Sequence, residues 1–177
     1  RIAERNVTNN HGKSWVMQVA ASARCAGRDD LTRFCAARFR EVLVPHQIAP
    51  DGSFPEELRR TKPYGYSLFN LDAMATICQI LSAPHGDLWT FETPDGRGFR
   101  RAVAFMPPFI AAKRTWPHPP DVMYFDDWPM RGPALLFGGL ALDEQQDLAI
   151  WRSLPADSTV DEVNRNYFVR QPLLWLS

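Results

Sequence analysis

An all-α fold of antiparallel helical hairpins is predicted by three features of this 177-residue chain. Apolar residues recur at three- and four-residue spacing through several stretches. No strand–helix alternation and no period-two hairpin interrupts them. Between the stretches lie loops dense in proline and glycine, the punctuation expected between helices. The length suffices for one hydrophobic core, so residues 1–177 read as a single helical domain.

The elements follow in order. Residues 13–26 carry a helical pattern that Gly27 ends as a left-handed cap. Asp29 or Asp30 starts a second helix, with Leu31, Phe34, Cys35, Arg38, Phe39 and Val42 at helical spacing, and Pro45 is expected to stop it. So short a turn makes the two helices an antiparallel hairpin. Residues 45–65 lack periodicity, and a loop of that length in a compact domain is often functional. A third helix is predicted over 67–81 and a turn-rich loop over 82–97. A fourth helix over 98–113 should break or kink at Pro107-Pro108. After a Pro-rich segment come a buried helix over 133–140 and a final amphipathic one from Asp143 to Leu154.

Composition excludes several classes. Twenty basic and twenty acidic side chains cancel, which argues against a nucleic-acid surface. No apolar run is long enough to span a bilayer, so no membrane role is expected. Cys25, Cys35 and Cys78 sit in helical apolar patterns without CxxC spacing and read as buried free thiols, a Cys25–Cys35 bridge having no support. His46, His85 and His118 are scattered through turn-rich segments, so no metal site is expected.

The richest stretch is Asn9-Asn10-His11-Gly12, directly before the first helical run. One asparagine there is an ordinary cap. Two asparagines and a histidine exceed what capping needs, and a helix N-terminus favours a bound anion such as a carboxylate. Downstream, the loop from Asp51 to Asn70 gathers Arg59, Arg60 and Lys62 beside Tyr64 and Tyr66. Read alone, it is either a solvated basic face over wedged tyrosines or an anion-binding loop that presents a phenol.

Together these residues resemble the alginate lyase family. Asn9-Asn10-His11 opens a helix, Asp51-Gly52-Ser53-Phe54-Pro55-Glu56-Glu57-Leu58-Arg59-Arg60 follows, and a tyrosine heads the next helix. The segments 121–129, 131–137 and 170–175 resemble a subgroup of the same family. The resemblance implies an incomplete (α/α) toroid, of which this chain would be the C-terminal portion. Because the motif falls so close to Arg1, further helices ahead of it in a longer protein are expected. It also implies a periplasmic or secreted enzyme that needs no cofactor. The partner would be an anionic polysaccharide: alginate first, glucuronan or another polyuronate as the alternative. A non-catalytic carbohydrate-binding module is the reading from outside the enzymes.

Residue by residue, the resemblance implies catalytic roles for Asn10, His11, Arg60 and Tyr66, with Asn9 as a cap or support. Arg59 is the alternative to Arg60. Tyr66 lies one residue short of the family's Arg-to-Tyr spacing, and Tyr64 is the alternative to it. The chemistry suits these residue types. A uronate lyase removes the C5 proton and expels the O4-linked sugar, so charge must be drained from the C5 carboxylate by preorganised donors. An amide, an imidazole N–H and a guanidinium provide them. A tyrosine, ordinarily titrating at about 10, needs a nearby cation to act as base. Lys62, Tyr64, Trp128 and Arg131 are further substrate-binding candidates, Trp128 by stacking on a sugar and Arg131 by holding a second uronate. An ion pair of Arg131 with Asp126 or Asp127 is the alternative for that residue. Asp126 or Asp127, with Asp121 or Glu56, would be the carboxylates of a hydrolase, but no spacing supports that pair.

Overall fold

A computed structural model describes residues 10–176. Ten α-helical segments follow one another: α1 Asn10–Cys25, α2 Asp29–Arg38, α3 Val44–Gln47, α4 Pro55–Leu58, α5 Pro63–His85, α6 Phe99–Phe105, α7 Pro107–Ala111, α8 Pro133–Ala141, α9 Gln145–Ser153 and α10 Asp161–Arg165. A single isolated bridge, Glu92 to Gly98, is the only β pairing among the described residues. No described helix is long and apolar enough to cross a membrane.

The first hairpin forms as its sequence predicts. Gly27 takes φ +64°. Its N–H and that of Arg28 then reach back to the carbonyls of Arg24 (3.3 Å) and Ala23 (2.8 Å), closing α1 with a Schellman motif. The second helix departs from expectation at Pro45. A π-helical segment, Phe39–Leu43, widens the register so that the Val44 N–H bonds to the Phe39 carbonyl. Proline then sits in the first turn of α3, where no N–H is missed, and the helix runs on to Gln47.

α5 is the axis of the molecule. At 23 residues it spans about 34 Å. Ala73, Met74, Ala75, Ile77, Cys78 and Leu81 along it are wholly buried. α1, α2, α4, α6 and α8 all pack on it, and α8 in turn packs on α9. It starts at Pro63, four residues before the periodicity does, because its cap comes from a distant loop. The Asp121 carboxylate accepts the N–H groups of Tyr64 (2.8 Å) and Gly65 (2.9 Å). A Cβ on Gly65 would lie 2.8 Å from that carboxylate and 3.0 Å from the Trp128 ring, so only glycine fits there.

The break at the double proline is real: α6 ends at Phe105 and α7 begins at Pro107. Asp143 is not the start of α9. It takes φ +57° as the left-handed residue that ends α8, with the Glu144 N–H bonded to the Gly139 carbonyl at 2.9 Å. Nor is α9 the last helix, since α10 and a 3₁₀ turn at Pro172–Trp175 follow. The thiols are all free, but Cys25 is exposed while Cys35 and Cys78 are buried.

Asp147, in the first turn of α9, is only 7% exposed. Burial, with Glu144 adding repulsion, pushes its carboxyl up to about 6. A raised folded-state value means the native state holds the proton more tightly, so this group costs stability progressively as pH rises from about 4 through about 6. Asp147→Asn should therefore stabilise the protein by about 1–2 kcal/mol at pH 7.5 and by little at pH 4, read from denaturant midpoints at the two pH values.

Candidate active site

α1 brings His11, at its exposed first turn, and Lys13, which points into the core. Lys13 has no exposed surface, and its ammonium donates a hydrogen bond to Asn70 Oδ1 on α5. Glu57 of α4 and Asp72 of α5 are the anions that face it. Burial lowers the lysine's affinity for its proton, and those two carboxylates oppose the shift. Burial also pushes Asp72 up to about 7, against its bond from the Ala134 N–H at 3.0 Å and the attraction of Lys13. Through that bond Asp72 caps α8, as Asp121 caps α5.

Glu57 links this buried cluster to the surface. Burial raises its carboxyl, while Lys13, Arg60 and His11 all pull it back down. Arg60 Nη1 lies 4.0 Å from Glu57 Oε2, and its guanidinium stands over the Tyr66 ring at 4.5 Å from the centroid. Arg60 and Tyr66 are thus brought together by the end of α4 and the first turn of α5, and His11 of α1 acts on the same Glu57 carboxylate. Arg59 instead pairs with Glu56 at 2.6 Å, with both side chains mostly in solvent.

Several sequence-based assignments change. Tyr64 has no exposed surface: its hydroxyl donates to the Phe109 carbonyl at 3.2 Å, and its ring packs edge-on against Trp116 and Phe125. Burial drives its phenol well above the usual range, so Tyr64 is a core residue and not a substrate contact. Trp128 is also mostly buried, packed on Tyr167 at 5.5 Å between centroids, and its remaining surface lines the small cavity beside Tyr66. Arg131 donates to the Arg152 carbonyl at 2.8 Å and lies over Trp151, so it braces α9 in place of an ion pair with Asp126 or Asp127. Asp121 is consumed as a cap, which removes it as a hydrolase acid. Trp15 packs edge-on against Phe34 of α2.

Lys62 stays beside Tyr66 but is partly neutralised, with its ammonium 3.5 Å from Glu162 Oε1. Lys62, Tyr66, Phe69, Trp128, Glu162 and Asn166 line a cavity of about 30 Å³ there, so α10 contributes to the site. Asn9 and the side chain of Asn10 lie outside the described residues. No cluster of metal-binding side chains occurs among the described residues. Lys13, Glu57, Asn70, Glu162 and Asn166 escaped the sequence reading. Lys13 and Asn70 had one signal, a polar residue within a helical apolar pattern, and the other three had none.

Helices packed in hairpins around a central one, with Arg60 over Tyr66 at one end, define the class: an all-α hairpin scaffold. The alginate lyase family model matches residues 1–116, and the chain belongs to that family. The crystal structure of an alginate lyase from Bacteroides ovatus superposes with a TM-score of 0.77 at 28% identity, covering 93% of this chain and 43% of that one. The hairpins are accordingly part of an (α/α) toroid, and the chain spans less than half the length of that relative. No curated protein matches the chain.

Lys13→Met leaves Glu57 and Asp72 buried without a countercharge, which should cost about 3–5 kcal/mol of stability at neutral pH. Asp72 is raised to about 7, so at lower pH it is neutral and needs no partner. The deficit should therefore shrink as pH falls from 7 toward 5, in urea melts of the variant beside wild type.

Proposed function

We propose that the protein is a polysaccharide lyase that cleaves β-1,4-linked polyuronate, alginate in the first place, by β-elimination. The observation that carries this reading is the Arg60 guanidinium over the Tyr66 ring, with His11 acting on the same Glu57 carboxylate. In this reading the guanidinium, the imidazole and the phenol meet one uronate.

The substrate carboxylate is neutralised by the Asn10 amide, an N–H of His11 and the Arg60 guanidinium. Each such donor contributes about 3–4 kcal/mol when it is aimed at charge that develops in the transition state. The C5 proton passes to a protein base, the C4–O4 bond breaks, a C4=C5 double bond forms, and O4 takes up a proton. Where H5 and O4 lie on one face of the sugar, Tyr66 takes the first proton and returns it to O4. Where they lie on opposite faces, His11 is the base and Tyr66 the acid. Mannuronate and guluronate differ in configuration at C5, so blocks of each distinguish the two routes. Family resemblance supports a periplasmic or secreted setting for this reaction.

Tyr66→Phe should lower the rate of appearance of the ultraviolet-absorbing unsaturated product by about 10²–10⁴-fold. Arg60→Ala should lower it by about 10²–10³-fold. Tyr64→Phe, which removes only a core hydroxyl, should leave turnover near wild type. Wild-type turnover in Tyr66→Phe would remove that residue from the mechanism. Saturable binding of alginate by the wild type without any unsaturated product would identify a carbohydrate-binding module instead, and product from glucuronan alone would reassign the substrate.

A further inference from the structure

Arginine side chains carry about 2 kcal/mol of rotamer entropy, so one that must meet a substrate carboxylate benefits from an inner anchor. Arg60 has one. Glu57 sits one helical turn before it on α4, with its side chain 4% exposed, and its buried Oε2 has no hydrogen bond and faces Nη1 at 4.0 Å. The charges around that carboxylate are Lys13 and His11 from α1 and Arg60 and Glu56 from its own segment, while Asp72 of α5 acts on it through Lys13. α1 and α4 each pack on α5, and their charged groups meet at this carboxylate. A burial so unfavourable for an anion is offset mainly by Lys13, which is itself wholly buried.

We infer that Glu57 is a positioning residue. It holds Arg60 over Tyr66, and Lys13 holds Glu57 from within the core. The inference rests on the lyase reading for its catalytic consequence but not for its geometry. Glu57 does not touch substrate. It draws the inner edge of the guanidinium back and leaves the outer N–H groups free for the uronate. If Glu57 served only as countercharge to Lys13, its removal would destabilise the fold without moving Arg60.

The test compares Glu57→Gln with wild type in the full chain, by turnover on alginate and by the ¹H–¹⁵N resonance of Arg60 Nε–Hε, which the Tyr66 ring current shifts. We expect kcat to fall about 10- to 100-fold with KM little changed, the size of effect produced by displacing a catalytic group by about an ångström. The Arg60 resonance should leave its shifted position, and Glu57→Asp, which keeps the charge on a shorter arm, should recover part of kcat. A folded Glu57→Gln variant with an unmoved Arg60 resonance, or with wild-type kcat, overturns the inference. Should Glu57→Gln not fold, Glu57→Asp decides: wild-type values for both resonance and kcat overturn it, and a displaced resonance with reduced kcat supports it. If wild type cleaves no polyuronate, the lyase reading fails alone, and the Arg60 resonance still decides whether Glu57 positions that side chain.

Discussion

A lysine ammonium without access to water is the constraint on which the functional end of this protein depends. Burying a charge costs several kcal/mol unless it is paired and hydrogen-bonded. Lys13 meets that demand with groups from two other elements, Asn70 and Asp72 on α5 and Glu57 on α4. The two carboxylates each have a second task. Asp72 caps α8 through the Ala134 N–H, and Glu57 faces the guanidinium that stands over Tyr66. The cluster therefore fixes the start of α1, the turn after α4 and the entry of α8 relative to α5.

The same economy appears at the helix starts. α5 and α8 both begin with proline at the first position, and neither has a local side-chain cap. Their free N–H groups are met by carboxylates far away in sequence, Asp121 and Asp72. An orphan donor in the interior costs about 1–3 kcal/mol, so these caps hold the interhelical geometry as well as the helix ends. Gly65 and Gly132 follow from this, since a Cβ at either would enter the capping carboxylate.

Tyrosine placement shows how packing and chemistry divide one helix. Tyr64 and Tyr66 are two residues apart on α5, about 200° around its axis. One must turn inward when the other turns outward. Trp116 and Phe125 close over Tyr64, and Tyr66 is left beside Arg60, Lys62 and Glu162. Arg59 and Arg60 divide in the same way, one toward Glu56 in solvent and the other over the phenol.

By itself the sequence determined the helical class, the hairpin of α1 and α2, the break at Pro107 and the residue types of the site, because periodicity, left-handed glycine and proline act locally. Its motifs also carried the family. The first turn of α5, the run past Pro45 and the true role of Asp143 were not legible, because their hydrogen-bond partners are remote or need a register shift. Tertiary structure alone decided that Tyr66 rather than Tyr64 faces the arginine, that Trp128 is buried, and that Arg131 braces α9. It also decided that Lys13 is buried against Glu57, Asn70 and Asp72. Spacing gives the angle between two side chains on a helix, but which of them meets water depends on what packs against that helix.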